Sequence, residues 1–280
     1  MNFLTLILEH NGKTLTEDVD LPEAWHEVPA DIYPHLASLY LATDAQMSKY
    51  DKTVRAFVLL TMKHYPFIEK FDDDDMRRQL HYVDWVFNKL DLTKNLLPEI
   101  TIGKETFIGP SDGMDNLRFA EWCAAASYLA AYTESEDIAD LQKLVATIYR
   151  PAGIGPDYVP GSPTFRGDRR QKFNDTLIDS RALLIAKLNK PVIQGIYVWF
   201  RSCLKQITLQ YESLFPEQLE NDNTSVEQSG DGWLGVYDDL RGDPKFGGAE
   251  KLEEEYLNMV FFSLARNNEK MKALKEKYGV

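Results

Sequence analysis

The stretch from about Pro191 to Tyr211 is apolar on nearly every side of a helix, with Ile196, Val198, Trp199, Phe200 and Leu204 falling on no single stripe. A helix of that kind is stable in water only when other elements enclose it. The chain must therefore supply several more helices, and a length of 280 residues with 44% apolar and 27% charged residues is enough to do so. That size allows one large domain or two modest ones without help from disulfides or metal. The two cysteines, Cys123 and Cys203, lie inside apolar helical patterns and match neither a disulfide framework nor a zinc site, so both read as buried thiols.

The expected fold class is α+β and mainly helical. Phe3 to Glu9 is rich in strand formers, Thr14 to Asp20 is a second, polar segment, and the intervening Asn11-Gly12 supplies the positive φ angles of a type I′ turn. Residues 1–43 thus read as a hairpin followed by a short helix through Ile32, Leu36, Leu39 and Tyr40, with Pro34 in its first turn. An isolated two-stranded hairpin is marginal in water and must lean on other elements. Residues 44–215 read as a helical core. Asp44 is the expected cap of a helix that Pro66 ends. Asp72 to Asp75 open another helix, and Ile100 to Ile108 form a second hairpin. Asn116 caps an alanine-rich helix to Tyr132, and Ser135 starts its partner. Two more helices cover Thr176–Leu188 and Pro191–Tyr211. Pro and Gly keep residues 150 to 165 irregular, which predicts an exposed excursion. Residues 216–231 hold five acids and no base, the composition of a solvated linker, and 232–280 then form a C-terminal helical arm.

Charge narrows the partners. Thirty-one Lys and Arg against 44 Asp and Glu give a net charge of −13, which disfavours broad binding to nucleic acid or an anionic membrane. No apolar run reaches the roughly 20 residues that span a bilayer, and Met1-Asn2-Phe3-Leu4 lacks signal-peptide order, so synthesis in the cytoplasm is expected. The best metal candidate is Asp72, Asp73, Asp74 and Asp75 with His81 and Asp84, because the last two share a helix face. Four consecutive aspartates cannot all face one ion, and as a helix start they oppose the positive end of the dipole. His10, His26, His35 and His64 have no ligand spacing. Gly153-Ile-Gly155-Pro156 lacks the Lys-Ser/Thr of a nucleotide loop, and there is no nucleophile elbow. Neither catalysis nor a cofactor has positive support.

Two groups of residues remain as candidate protein-binding sites. Arg166, Arg169, Arg170 and Lys172, near Arg150, face only Asp157 and Asp168 across residues 150–172; they can grip an acidic surface or a phosphate, or pair with the chain's own acids. Trp233, Tyr237, Phe261 and Phe262 lie in an arm too short to hide them alone, so Trp233 and Phe261-Phe262 either fold back on the body or dock on a partner. The expectation is that removing 232–280 leaves a folded body.

Four stretches carry a family resemblance: Leu21-Pro-Glu-Ala-Trp-His-Glu-Val28, Leu92-Thr-Lys-Asn-Leu-Leu-Pro98, Phe107-Ile-Gly-Pro-Ser-Asp-Gly-Met-Asp-Asn-Leu-Arg-Phe-Ala-Glu-Trp122 and Leu144-Val-Ala-Thr-Ile-Tyr-Arg-Pro151. They resemble proteins of tail gene clusters in phages and prophages of Bacteroidetes-type bacteria, over most of residues 1–210. Gly232-Trp-Leu-Gly-Val-Tyr-Asp-Asp-Leu-Arg-Gly242 is similar to the end of tail assembly chaperone-like members. The resemblance implies a non-enzymatic protein of the host bacterial cytoplasm that holds a tape-measure or other tail protein as chaperone or adaptor. A structural virion protein of the tail or neck is the first alternative, and a metal-dependent enzyme using the Asp72–Asp75, His81 and Asp84 cluster the second.

Overall fold

A computed structural model describes residues 2–10, 13–215 and 232–278. The expected Asn11-Gly12 turn and the acidic linker at 216–231 lie outside the described residues. The protein is α+β and mainly helical, and it divides into two compact units, Met1–Leu92 with Asn189–Val198, and Thr93–Leu188 with Trp199–Val280.

The first unit opens with strands β1 (Asn2–His10) and β2 (Lys13–Leu21), paired antiparallel from Asn2 opposite Leu21 to His10 opposite Lys13. Alternation places Leu6, Leu8, Val19 and Leu21 on one buried face, while Thr5 Oγ1 donates to Asp18 Oδ1 at 2.7 Å on the other. Trp25 is the hub that follows. Its ring meets Tyr33, Tyr40 and Trp85 edge-on at 5.7–6.1 Å, and its Nε1 donates to Lys89 O at 3.0 Å. Helix α1 (Tyr33–Leu41) carries Pro34 in its first turn, and the Tyr33 hydroxyl donates to Gly195 O at 2.6 Å. Helix α2 (Lys49–Leu60) is capped by Ser48, whose Oγ accepts from Asp51 N at 3.1 Å. The expected cap, Asp44, instead pairs with Lys52 at 2.8 Å, because the chain becomes extended only at Ser48. Pro66 sits in the first turn of α3 (Tyr65–Ile68) and so begins a helix as well as following one.

The acid run starts α4 (Asp73–Gln79). Asp72 Oδ1 accepts from Asp75 N at 2.8 Å, Asp75 returns the bond to Asp72 N, and Asp75 pairs with Arg78. Helix α5 (Trp85–Asn88) completes this part.

In the second unit, β3 (Glu99–Ile102) and β4 (Glu105–Ile108) form the second hairpin, and β5 (Arg150–Pro151) pairs with β4 to give a three-stranded sheet. Residues 92–98, 107–122 and 144–151 interlock beside this sheet. Asn95 takes Asp112 Oδ1 on its backbone N–H at 2.7 Å and donates from Nδ2 to Pro110 O at 2.8 Å. Gly109 N donates to Pro98 O, and Gly113 N to Thr93 O. The Tyr149 hydroxyl donates to Leu97 O at 2.7 Å while its ring covers Gly109, where an added Cβ would lie 2.6 Å from the ring. These residue types are thus set by packing.

Helices α6 (Phe119–Ser135) and α7 (Ile138–Ile148) pack together, and α8 (Ile178–Ile185) packs on α7. The α6 start falls at Arg118, because Asn116 spends its Oδ1 accepting from Ser111 N at 2.8 Å. Asp137, in place of the expected Ser135, caps α7. Helix α9 (Lys190–Gln210) contributes residues through Val198 to the first unit and residues from Trp199 to the second. Its apolar residues are buried on several sides, as their distribution requires.

The C-terminal residues form α10 (Gly232–Arg241), α11 (Ala249–Glu254) and α12 (Leu257–Tyr278). They are not a separate arm. Helices α10 and α11 pack on α6, and residues on either side of Tyr256 add a short antiparallel bridge to Leu117–Phe119: Phe119 N donates to Glu255 O and Leu257 N to Leu117 O, both at 2.9 Å. The expected limits at 43 and 231 therefore give way to a division near 92 and around 189–198, set by which apolar faces share a core.

Replacing Asp72 by Ala should cost about 1 kcal/mol in urea unfolding by removing the cap. Replacing the exposed Asp73 and Asp74 by Ser should cost less than that, since only their attraction to the helix dipole is lost.

Candidate functional site

The Arg-rich loop is tied into the second unit by one buried ionic cluster. Glu121 sits in the first turn of α6 and is 0% exposed on its side chain. A carboxylate in that position is tolerable only with a cation against it. Arg170 provides one, with Nη1 donating to Glu121 Oε1 at 2.6 Å. The same guanidinium donates through Nε and Nη2 to the Asp168 carboxylate at 2.8–3.1 Å, through Nη1 to Ile148 O at 2.8 Å and through Nη2 to Asn116 O at 3.2 Å. Arg150 is equally buried. Its Nη1 lies 3.0 Å from Glu121 Oε1 as an ion pair without hydrogen-bond alignment, and its Nη2 donates to Asp168 Oδ2 at 3.5 Å. Two cations and two anions balance.

Their titration follows from burial and from each other. Burial pushes Arg150 down to about 10, against the pull of Glu121, so it stays charged at neutral pH. Burial also opposes the charge on Arg170, but Glu121 and Asp168 outweigh it and hold the guanidinium above its ordinary value. Asp168 ends below the usual aspartate range, because hydrogen bonds and charge from Arg170 exceed the upward push of burial.

The cluster shuts the feet of the irregular loop. Gly153 N donates to Arg169 O at 2.8 Å and Gln171 N to Pro151 O at 2.9 Å, so the segment leaves and re-enters the body through one bridge. Its tip is exposed, with Ile154 90% accessible, but its ends are held. The expected excursion is therefore anchored, and Arg170 belongs to the interior. Arg166 and Arg169 are on the surface, paired with Asp157 at 3.6 Å and Glu99 at 3.0 Å. Lys172 pairs with Glu254, and Arg118 stacks 3.7 Å above the Tyr256 ring. A cleft of about 360 Å³ opens beside them. Five bases and five acids line it (Arg118, Arg150, Arg166, Arg170 and Lys172 against Asp157, Asp168, Glu250, Glu253 and Glu254), which gives it no net sign. The loop pairs with the chain's own acids.

The aromatic residues separate sharply. Phe261 is 0% exposed and Trp233 4%. Phe261 is a hub, with ring centroids of Trp233, Tyr211, Phe215, Trp122 and Phe119 at 5.0–6.2 Å. Tyr237 is half-buried and donates to Glu253 Oε1 at 2.8 Å. Phe262, one position on, is 57% exposed, because α12 turns that side outward. The expectation of an exposed aromatic partner site thus fails for Trp233 and Phe261: the arm has no core of its own, but α6 and the end of α9 lend it theirs. The missed residue is Glu121. Its signal was present in Phe119-Ala-Glu-Trp-Cys123, a charge among core residues, which calls for a buried base.

Among the described residues no group of three or more His, Cys, Asp or Glu side chains is placed to hold a metal ion. Asp72 and Asp75 cap α4, and the exposed His81 lies 3.8 Å from the Tyr82 ring. Cys123 and Cys203 are buried thiols outside any disulfide, and burial raises their pKa values. No helix of the described residues is long and apolar enough to cross a membrane. Comparison of the chain with protein-family models, with curated proteins and with solved structures finds no match.

Removing Arg170 leaves Arg150 as the one cation against the Glu121 and Asp168 carboxylates in this cluster, so Arg170→Met should cost about 3–5 kcal/mol in denaturant unfolding. Because the folded protein holds Asp168 below its unfolded pKa, that contribution is complete above about pH 4 and is lost as pH falls further. The stability gap between the wild type and Asp168→Asn should therefore be clear at pH 7 and shrink at pH 3. Trp233→Ala should cost about 3–5 kcal/mol. Deleting 232–280 should leave an aggregating body, and a truncated protein that melts like the intact one would contradict the packing described above.

Proposed function

We propose that this chain is a non-enzymatic assembly protein of a phage tail, a chaperone or adaptor that holds a tape-measure or other tail component in the host bacterial cytoplasm. The sequence resemblance supports the tail setting. The observation that carries the binding role is one face of the last turns of α12, where Met271, Leu274 and Tyr278 are each 48–65% exposed. Large apolar side chains gathered on one element mark a surface that another molecule covers. Conversely, the charged side chains of the loop and cleft are engaged with partners inside the chain, which suits a scaffold that presents a surface more than a pocket that turns over a substrate.

The test compares two fractions from cells that carry the tail cluster. The chain should co-purify with a tail protein, the tape-measure protein first among candidates, before assembly, and should be missing from washed finished particles. Deleting its gene should leave tails unassembled. Stoichiometric presence in finished particles would instead make it a structural virion protein of the tail or neck, and normal tails without it would end the assembly reading.

A further inference from the structure

Helix α12 contains a strict heptad that its first half uses and its second half leaves bare. Leu257, Val260, Leu264, Asn267, Met271, Leu274 and Tyr278 alternate at spacings of three and four, the a and d positions of a coiled-coil seam. On the body this seam is buried at its start and half-buried further on: Leu257 is 1% exposed and Val260 0%, and Leu264 and Asn267 are intermediate. Asn268 Nδ2 donates to Ser213 O at 3.1 Å, and Lys245 Nζ to Asn267 Oδ1 at 3.4 Å, which tie the helix down. Beyond them every residue from Glu269 to Tyr278 is exposed, so about 15 Å of helix projects with Met271, Leu274 and Tyr278 in line with the buried stripe.

Charge identifies what fits there. Flanking the bare seam, the g positions are Lys270 and Lys277 and the e position is Lys275, while Glu269 and Glu276 both fall on the outer f position. In a protein of net charge −13 this local concentration of lysine beside an apolar seam stands apart. A second copy of the same helix would set lysine against lysine in either orientation, Lys270 facing Lys275 when parallel and g facing g or e facing e when antiparallel. The seam is also narrow and carries Asn267 at a d position, unlike the wide Leu- and aromatic-rich face of a helix that lies on lipid. We infer that the projecting end of α12 docks a helix of a different protein, one with apolar a and d positions and acidic e and g positions. This deepens the assembly reading, on which it rests only for the premise that the chain binds protein.

The probe is a labelled synthetic peptide of four heptads with Leu at a and d and Glu at e and g, titrated with the full chain by fluorescence anisotropy. A control peptide carries Lys in place of every Glu. The acidic peptide should bind at least about tenfold more tightly than the basic one, and more weakly as salt rises from about 50 to about 300 mM. Leu274→Asp and Met271→Asp should each abolish binding, whereas Phe262→Asp, on the outer face, should leave it unchanged. The triple change K270E, K275E and K277E should reverse the preference between peptides. Equal binding of both peptides, or none, would overturn the inference. So would a dimer of the chain in sedimentation that Leu274→Asp dissolves, or Leu274-dependent binding to anionic phosphatidylglycerol vesicles in place of the peptide. The two claims can fail separately. A chain that co-purifies with tail proteins yet ignores the peptide loses this surface and keeps the assembly role; one that takes the peptide but meets no tail protein keeps the surface and loses the role.

Discussion

The burial of Glu121 is the constraint around which the second unit is arranged. A carboxylate inside the first turn of a core helix is tolerated only if cations reach it, and Arg150 and Arg170 both do so from the two feet of one loop. Asp168 then balances the second cation. Because Arg170 also donates to the Ile148 and Asn116 carbonyls, the same group holds the end of α7 and the approach to α6. The pairing of residues 117–119 with 255–257 lies one turn from Glu121, so the C-terminal helices dock on backbone that this cluster fixes.

From that arrangement the division of labour along the C-terminal helices follows. Trp233 and Phe261 close the core over α6, and the early part of α12 spends its apolar seam on the body. Only past Asn268 does the helix leave its support, and there the same seam continues without cover. A protein built to bind a helix would need this combination, a rigid root and a projecting, preformed end, since a helix held at one end loses less conformational freedom on docking than a free segment.

Local signals carried much of the fold. Period-two and period-3.6 patterns located both hairpins and the main helices, and Asp72 stood where a cap is needed. Caps decided by geometry rather than residue type were missed: Ser48 took the role expected of Asp44, and Asn116 was diverted to Ser111 N. The fold-back of the C-terminal helices was not legible, because the partners of Trp233 and Phe261 lie more than a hundred residues earlier at Trp122 and Phe119. Arg170 looked like its exposed neighbours Arg166 and Arg169, and only the buried charge on Glu121 sets it apart.

Native-state hydrogen exchange on Arg170→Lys addresses the central claim most directly, since lysine keeps the charge but cannot make the forked contacts to Glu121 and Asp168 together. The amides of Gly153, Gln171, Phe119 and Leu257 lie on the loop feet and on the bridge to the C-terminal helices. If the cluster holds these parts as one, all four should lose protection together in the variant, while in the wild type they exchange with the slow amides of α6. Loss of protection at Gly153 and Gln171 alone, with Phe119 and Leu257 unchanged, would show that the C-terminal helices dock independently of the buried ions.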